Sequence, residues 1–315
     1  MRSTTQEGAQ PPSSLLGLDV AVHGDGWELV AGDALEVLAR VPAGSVDLLF
    51  ADPPYFLSNG GTTCRGGKRA SVNKGHWDVS RGVAEDHAFH VAWLRACQRA
   101  LKPSGTLWVS GTQHVIFSIG YALQELGYHL LNTVTWQKPN ASPHLACRYL
   151  THSTEILLWA SPSRQVPLQH VFNYREMKAT YGGGKQVRDY WRIDERPEPG
   201  GDQVVWSVPT PGPREKVHGR HPTQKPLGLL ERVILASSRP GALVLDPFCG
   251  SGTTGVAALE LGRMFVGIEQ DPEYLDLARR RLAGVEANAK RQGSAGGGPA
   301  VAAIDREQGE RPWIG

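Results

Sequence analysis

Short apolar runs alternate along this chain with stretches whose apolar residues recur at helical spacing. The runs Trp27–Ala31, Val46–Ala51, Thr106–Ser110, Asn132–Trp136, Glu155–Ala160, Ala242–Asp246 and Met264–Glu269 predict strands. Between them, Ala34–Ala39, Asp86–Leu101, Gln113–Leu126, Gln224–Ser238, Gly252–Leu261 and Pro272–Leu282 carry the periodicity of amphipathic helices. Strand and helix in regular alternation give parallel βαβ units, so the expected architecture is an α/β fold on a doubly wound sheet. No internal repeat interrupts it.

Two stretches break the alternation. One, from Phe56 to about Asp78, is rich in Gly, Ser, Asn and Lys; the other, from about Ser161 to Arg220, mixes aromatic residues with Arg, Gly and Pro. Loops this long inside a compact domain are usually functional or disordered, so both are candidate substrate-binding segments. Residues 1–14 and 288–315 are polar or Gly-rich and aperiodic, and are expected to be flexible tails.

Composition narrows the function classes. Of 315 residues, 33 are Lys or Arg and 31 are Asp or Glu, a formal charge of +2. This balance excludes a binder that holds nucleic acid by bulk charge, but not an enzyme that acts on nucleic acid. Cys64, Cys97, Cys147 and Cys249 form no C-x-x-C pair, which fits reduced thiols rather than a disulfide framework. The 11 histidines form no H-E-x-x-H or comparable set, and no metal site is expected. Without an apolar leader or a run of about 18 apolar residues, the expectation is a soluble, unexported, cytoplasmic protein that makes no contact with membrane.

Candidate chemistry lies at two strand ends. The run Val244-Leu245-Asp246-Pro247-Phe248-Cys249-Gly250-Ser251-Gly252-Thr253-Thr254 is an apolar strand entering a Gly-containing turn and then a helix. Glycines there admit positive φ and close approach of a ligand to backbone N–H groups. The next strand delivers Glu269 about 20 residues beyond Gly250, the spacing at which a carboxylate accepts hydrogen bonds from ribose hydroxyls. The glycine pattern is not G-x-G-x-x-G, and Asp246 would repel a pyrophosphate but favour a cation. S-adenosylmethionine combines a ribose and adenine with a cationic amino acid and no phosphate.

The second strand end is Asp52-Pro53-Pro54-Tyr55, following Val46–Ala51. Successive prolines cannot continue a central strand; they make a rigid ledge at its carboxyl end, the edge where open α/β sheets bind ligands. Asp52 and the Pro53 carbonyl then offer two acceptors beside the flat face of Tyr55. That set suits the exocyclic amino group of a nucleobase, whose lone pair is delocalised. Holding both N–H bonds lets the nitrogen pyramidalise and point its lone pair at a methyl donor, so that positioning and electrostatics carry the catalysis.

Taken in order, these two motifs resemble the β-class DNA amino-methyltransferases, in which the catalytic motif precedes the cofactor motif. The resemblance extends to His221-Pro222-Thr223-Gln224-Lys225-Pro226, similar to the segment that helps hold the methionine moiety, and to Gly32-Asp33-Ala34, similar to a short element near the adenine. It also covers Val134-Thr135-Trp136-Gln137-Lys138-Pro139-Asn140 and His152-Ser153-Thr154-Glu155, near the target base. It implies a Rossmann-like methyltransferase sheet, mostly parallel with one antiparallel strand, and S-adenosylmethionine as cofactor. Asp33, Ala34, His221, Thr223, Lys225, Asp246, Pro247, Phe248, Gly250, Ser251, Gly252, Thr253, Glu269 and Gln270 would bind it, while Asp52, Pro53, Pro54 and Tyr55 act on the base.

The implied substrate is double-stranded DNA with the target base flipped out of the stack, Tyr55 stacking against it. Phe56 to Trp77 holds Arg65, Lys68, Arg69 and Lys74 with no Asp or Glu, and reads as a basic lid on DNA. Lys138, Asn140, Arg188 and Arg192 are further DNA-binding candidates. The expected plan is a catalytic half (15–160, with the basic loop at 56–78), a target-recognition insertion (161–214) and a cofactor-binding half (215–287). Adenine N6 is the favoured target because Asp leads the tetrapeptide where cytosine-N4 relatives often carry Ser; cytosine N4 is the alternative. More distant alternatives are methylation of RNA or protein and a non-catalytic, cofactor-sensing DNA-binding module. A cognate restriction endonuclease is a possible partner, and the chain is expected as a monomer or homodimer.

Overall fold

The computed structural model describes residues 14–58, 62–65, 68–71, 78–138, 141, 148, 150–164, 167–192, 211, 213–219 and 221–294. The predicted βαβ alternation is present. The first half contains β1 (Val22–Gly24), β2 (Trp27–Ala31), α1 (Ala34–Arg40), β3 (Val46–Ala51), a hairpin of β4 (Thr62–Arg65) and β5 (Lys68–Ser71), and α2 (Val83–Ala100). It continues with β6 (Leu101–Gly111), α3 (Ile116–Glu125), β7 (His129–Gln137) and β8 (Thr154–Ser161). Then follow α4 (Tyr174–Tyr181), β9 (Tyr190–Arg192), α5 (Leu227–Ser237), β10 (Leu243–Asp246), α6 (Thr253–Glu260), β11 (Met264–Glu269) and α7 (Pro272–Ser294).

Among the described residues the main sheet has the order β1-β2-β11-β10-β3-β6-β8-β7-β9. Strands β2, β11, β10, β3 and β6 are mutually parallel. The expected antiparallel strand is β8, between β6 and β7; short β1 adds another at the edge. Successive side chains of each central strand enter opposite cores. Leu49, Leu245 and Val266 join α1, α2 and α3 in one layer, while Leu48, Val244 and Phe265 join α5, α6 and α7 in the other. Strands buried on both faces read as continuous apolar runs rather than alternating ones, which is why Val46–Ala51 was legible as central.

Three departures from the predicted elements matter. Helix α5 begins at Leu227, not Gln224, because Pro226 is its N-cap with an extended ψ of 140°. A residue before proline avoids helical backbone, so Lys225 stays outside the helix, and its side chain and that of Gln224 are buried. Helix α7 runs on past Leu282 to Ser294, into the segment expected as a tail, with Glu286 accepting a hydrogen bond from the Trp27 indole at 3.2 Å. The two interrupting stretches also contain regular structure: the β4–β5 hairpin in the basic loop, and α4 and β9 in the later one.

Candidate active site

Neighbouring strands bring distant sequence together. Leu48 and Leu49 of β3 pair in parallel with Val244 and Leu245 of β10, so the Asp52 ledge and the Asp246 loop emerge side by side. Strands β11 and β2 continue the row, placing Glu269 and Asp33 at the next two tips. Between them lies a cavity of about 440 Å³, walled by Asp33, Asp52, Pro53, Tyr55, His221, Phe248 and Glu269 among others. Chain order reverses between β10 and β3, and such a switch point leaves a crevice outside the strand ends.

At the β3 end, Asp52 is the hub. Its Oδ1 accepts from the Tyr55 hydroxyl at 2.7 Å and the Ser110 hydroxyl at 2.6 Å; its Oδ2 accepts from Lys225 Nζ at 2.5 Å. Burial alone would push this carboxyl up, but the Lys225 ammonium and these hydrogen bonds hold it below the ordinary carboxylate range. Tyr55 is buried, and burial followed by the charges of Asp52 and Glu155 keeps its phenol firmly protonated. Asp78, fully buried, accepts from the Tyr55 and Leu57 N–H groups at 3.0 and 3.2 Å and from the Ser58 hydroxyl at 2.8 Å. It pins the chain directly after the ledge, where Phe56 has a positive φ of 54°.

At the opposite wall, Glu269 Oε2 accepts from Gly250 N–H at 2.8 Å and Oε1 from Asp271 N–H at 2.9 Å. These bonds fix the carboxylate in the wall and leave lone pairs for hydroxyl donors. Asp33 caps α1 through Oδ1, which accepts from Leu35 and Glu36 N–H, so that Oδ2 takes no part in the cap, and the residue lines the cavity. Asp246 is buried, its two oxygens accepting from Phe248 N–H at 3.0 Å and the Thr254 hydroxyl at 2.5 Å. Burial pushes its carboxyl up to about 7 against those bonds, with the Asp52 and Glu269 charges adding to the rise. His221 meets Tyr274 edge to face, ring centroids 4.3 Å apart, and burial keeps it neutral with a pKa lowered to about 4. A Cβ on Gly250 would approach the His221 ring at 3.0 Å, so glycine keeps this corner open.

The structure sorts the sequence candidates. Asp33, Ala34, Pro247, Phe248, Gly250, Glu269, Gln270, His221 and Thr223 line the cavity with Asp52, Pro53, Pro54 and Tyr55. Ser251 and Thr253 turn instead to Arg281 of α7, which donates to both hydroxyls at 3.0 and 2.8 Å, and Gly252 caps α6. Lys225 reaches Asp52, which itself lines the cavity. Lys138 forms an ion pair with Glu155. Arg65, Lys68 and Arg69 fall in the β4–β5 hairpin, Arg188 is exposed and Arg192 ends β9; Lys74 and Asn140 lie outside the described residues. Sequence reasoning missed Asp78 and Ser110, and gave Glu155 no role of its own. The signals were an acid closing an acid-free basic stretch, and polar residues within otherwise apolar strands. Among the described residues, no three His, Cys, Asp or Glu side chains are grouped to hold a metal, and no helix is long and apolar enough to cross a membrane.

Similarity to known proteins agrees with this geometry. Residues 46–280 match the N6_N4_Mtase family, described as DNA methylase. The chain is 47% identical to the Type II methyltransferase M2.DpnII of Streptococcus pneumoniae over 81% of its own length and 88% of that protein. It is 43% identical to the Type II methyltransferase M2.MboI of Moraxella bovis, covering 81% and 87%. The fold superposes on the solved M1.HpyAVI–SAM complex with a TM-score of 0.56 at 25% identity, over 81% of this chain and 98% of that one. With the family matched across both the Asp52 ledge and the Asp246 loop, the chain belongs to the N6/N4 DNA methylases, the site-specific DNA amino-methyltransferases that use S-adenosylmethionine.

Proposed function

We propose that this enzyme methylates the exocyclic N6 of adenine in duplex DNA, at a base flipped against Asp52-Pro53-Pro54-Tyr55. The observation that carries the reading is an ionised, triply hydrogen-bonded carboxylate at the lip of a cavity whose far wall is another carboxylate, Glu269. The residues present suit the cofactor: Glu269 and Asp33 as acceptors for sugar and amino donors, Phe248 as an apolar wall, and acidic groups that favour a cation over a phosphate. When bound, S-adenosylmethionine supplies an electrophilic methyl group.

Asp52 and the Pro53 carbonyl take the two amino hydrogens of the target. Prolines at 53 and 54 hold that carbonyl rigidly, and the Tyr55 ring stacks on the base while its hydroxyl remains on Asp52. Because Asp52 is ionised, it only accepts, and its negative charge stabilises the positive charge that grows on the attacking nitrogen. The leading Asp favours adenine over cytosine, in line with the family resemblance.

Around this centre, the β4–β5 hairpin and the 161–214 segment are read as the DNA-contacting and target-recognition surfaces. The Type II names of its relatives support a partner restriction endonuclease. The enzyme is read as cytoplasmic, acting as a monomer or homodimer.

Nucleoside mass spectrometry after reaction with a mixed-sequence duplex tests the target. N6-methyladenine is expected; N4-methylcytosine alone would overturn the adenine assignment. Asp52→Ala should retain cofactor binding by calorimetry while losing most transfer, and preserved turnover would sink the mechanism.

A further inference from the structure

Lys225 lies in the segment that the resemblance assigns to the cofactor, yet its ammonium is directed to the catalytic carboxylate. It sits 2.5 Å from Asp52 Oδ2, 3.2 Å from the Tyr55 hydroxyl and 3.7 Å from Glu155 Oε2. Glu155 in turn holds Lys138 through its other oxygen. The result is an alternating row, Lys138–Glu155–Lys225–Asp52, of two cations and two anions. It is drawn from the end of β7, from β8, from the turn before α5 and from the tip of β3. Lys225 and Glu155 are buried, and charges this far from water need such compensation.

The row bears on the chemistry because Asp52 is useful in one protonation state. As a carboxylic acid it would present a hydroxyl donor where the target's amino hydrogen needs an acceptor. The groups around it are the Tyr55 and Ser110 hydroxyls, Lys225, the carboxyl of Asp246 and the neutral ring of His221, with the Glu155 carboxylate behind Tyr55 and Lys225. Glu155 and Asp246 favour protonation of Asp52, as does burial. Among the described residues, Lys225 is the cation in contact with it.

We propose that Lys225 is a positioning residue for methyl transfer, holding Asp52 as an ionised acceptor across the working pH range, while Glu155 anchors Lys225 from the opposite side. The inference rests on the reading of Asp52 as the amino-group acceptor. Its signature is the sign of two shifts. Without Lys225, Asp52 retains two hydroxyl donors against burial and a neighbouring carboxylate, so its protonation moves to higher pH. In Glu155→Gln the amide oxygen still accepts from Lys225, so Asp52 loses a repulsive charge but keeps its cation, and its protonation stays or moves to lower pH.

The test is the single-turnover rate of methyl transfer to duplex DNA against pH, at saturating S-adenosylmethionine, for wild type, Lys225→Met, Lys225→Arg and Glu155→Gln. The acid limb should rise by at least one pH unit in Lys225→Met, return toward wild type in Lys225→Arg, and not rise in Glu155→Gln. A loss of rate in Lys225→Met with the limb in place would reduce Lys225 to a packing role and overturn the proposal. So would a raised limb in Glu155→Gln, an outcome that remains readable if Lys225→Met fails to fold. Activity retained in Asp52→Ala would instead remove the acceptor reading beneath it, whereas an inactive Asp52→Ala beside an unmoved Lys225→Met limb rejects the Lys225 role alone.

Discussion

Asp246 shows how a single buried carboxyl makes stability depend on pH. It is 2% exposed, and burial pushes its carboxyl up to about 7. An unfolded aspartate titrates at about 3.9. The folded protein therefore binds this proton more tightly than the unfolded chain does. The corresponding stability is complete below about pH 4 and is lost as the pH rises to about 7, at no more than about 1.4 kcal/mol per pH unit. Asp246→Asn removes the titration while keeping an acceptor for Phe248 N–H. Its unfolding free energy relative to wild type, from denaturant melts, should increase between pH 4 and 7 and then level off. A difference that stays constant with pH would show that another group titrates. The same substitution should weaken S-adenosylmethionine binding at pH 8, since a cation-favouring charge leaves the cofactor side.

At the scale of elements, the cofactor turn depends on how closely α6 and α7 approach. Gly252 is the N-cap of α6 with φ of 71°, and a Cβ there would meet the Ala278 Cβ of α7 at 3.0 Å and its Cα at 3.2 Å. Gly241, in the turn before β10, has φ of 77°, and a Cβ there would meet no atom within 4 Å. Gly241→Ala should therefore cost only the left-handed strain, about 1 kcal/mol. Gly252→Ala adds a clash between two helices and should cost about 2–3 kcal/mol, with weakened cofactor binding as well. Equal losses of unfolding free energy at the two sites would mean that the α6–α7 packing relaxes freely. Asp78 works at the same scale on the other side of the cavity. By accepting from Tyr55, Leu57 and Ser58, it brings the far end of the basic loop back to the ledge where that loop begins.

For the whole molecule, a formal charge of +2 averages over unlike surfaces. Acid-free sequence carrying Arg65, Lys68 and Arg69 forms a hairpin in the loop that leaves the Asp52 ledge, while acidic groups gather at the cavity wall. Replacing all three cations with Glu should weaken duplex binding and flatten the dependence of log affinity on log salt by about one unit for each phosphate no longer neutralised, leaving S-adenosylmethionine affinity unchanged. An unaltered salt slope would place the DNA elsewhere. Much of this plan was legible beforehand: the seven predicted strands and six predicted helices all exist, because buried central strands and amphipathic helices write their periods directly into the chain. The β4–β5 hairpin, α4 and β9 were not legible, since short elements in Gly-rich and mixed polar sequence carry no comparable period.

By itself, the sequence determined the βαβ alternation, the two Gly- and Pro-bearing strand ends and the residue types that suit an amino group and a cationic cofactor. Those are local properties, set by side-chain periodicity and by the restricted backbone of Pro and the permissive backbone of Gly. Only the tertiary structure decided that β3 and β10, far apart in the chain, pair directly, with Leu243 N–H reaching Asp47 across a separation of 196 residues. It also decided that Lys225 meets Asp52, and that Ser251 and Thr253 are held by Arg281. Partners of this kind are chosen by which strand tips and turns the sheet order brings together, a long-range outcome on which no short stretch of sequence bears.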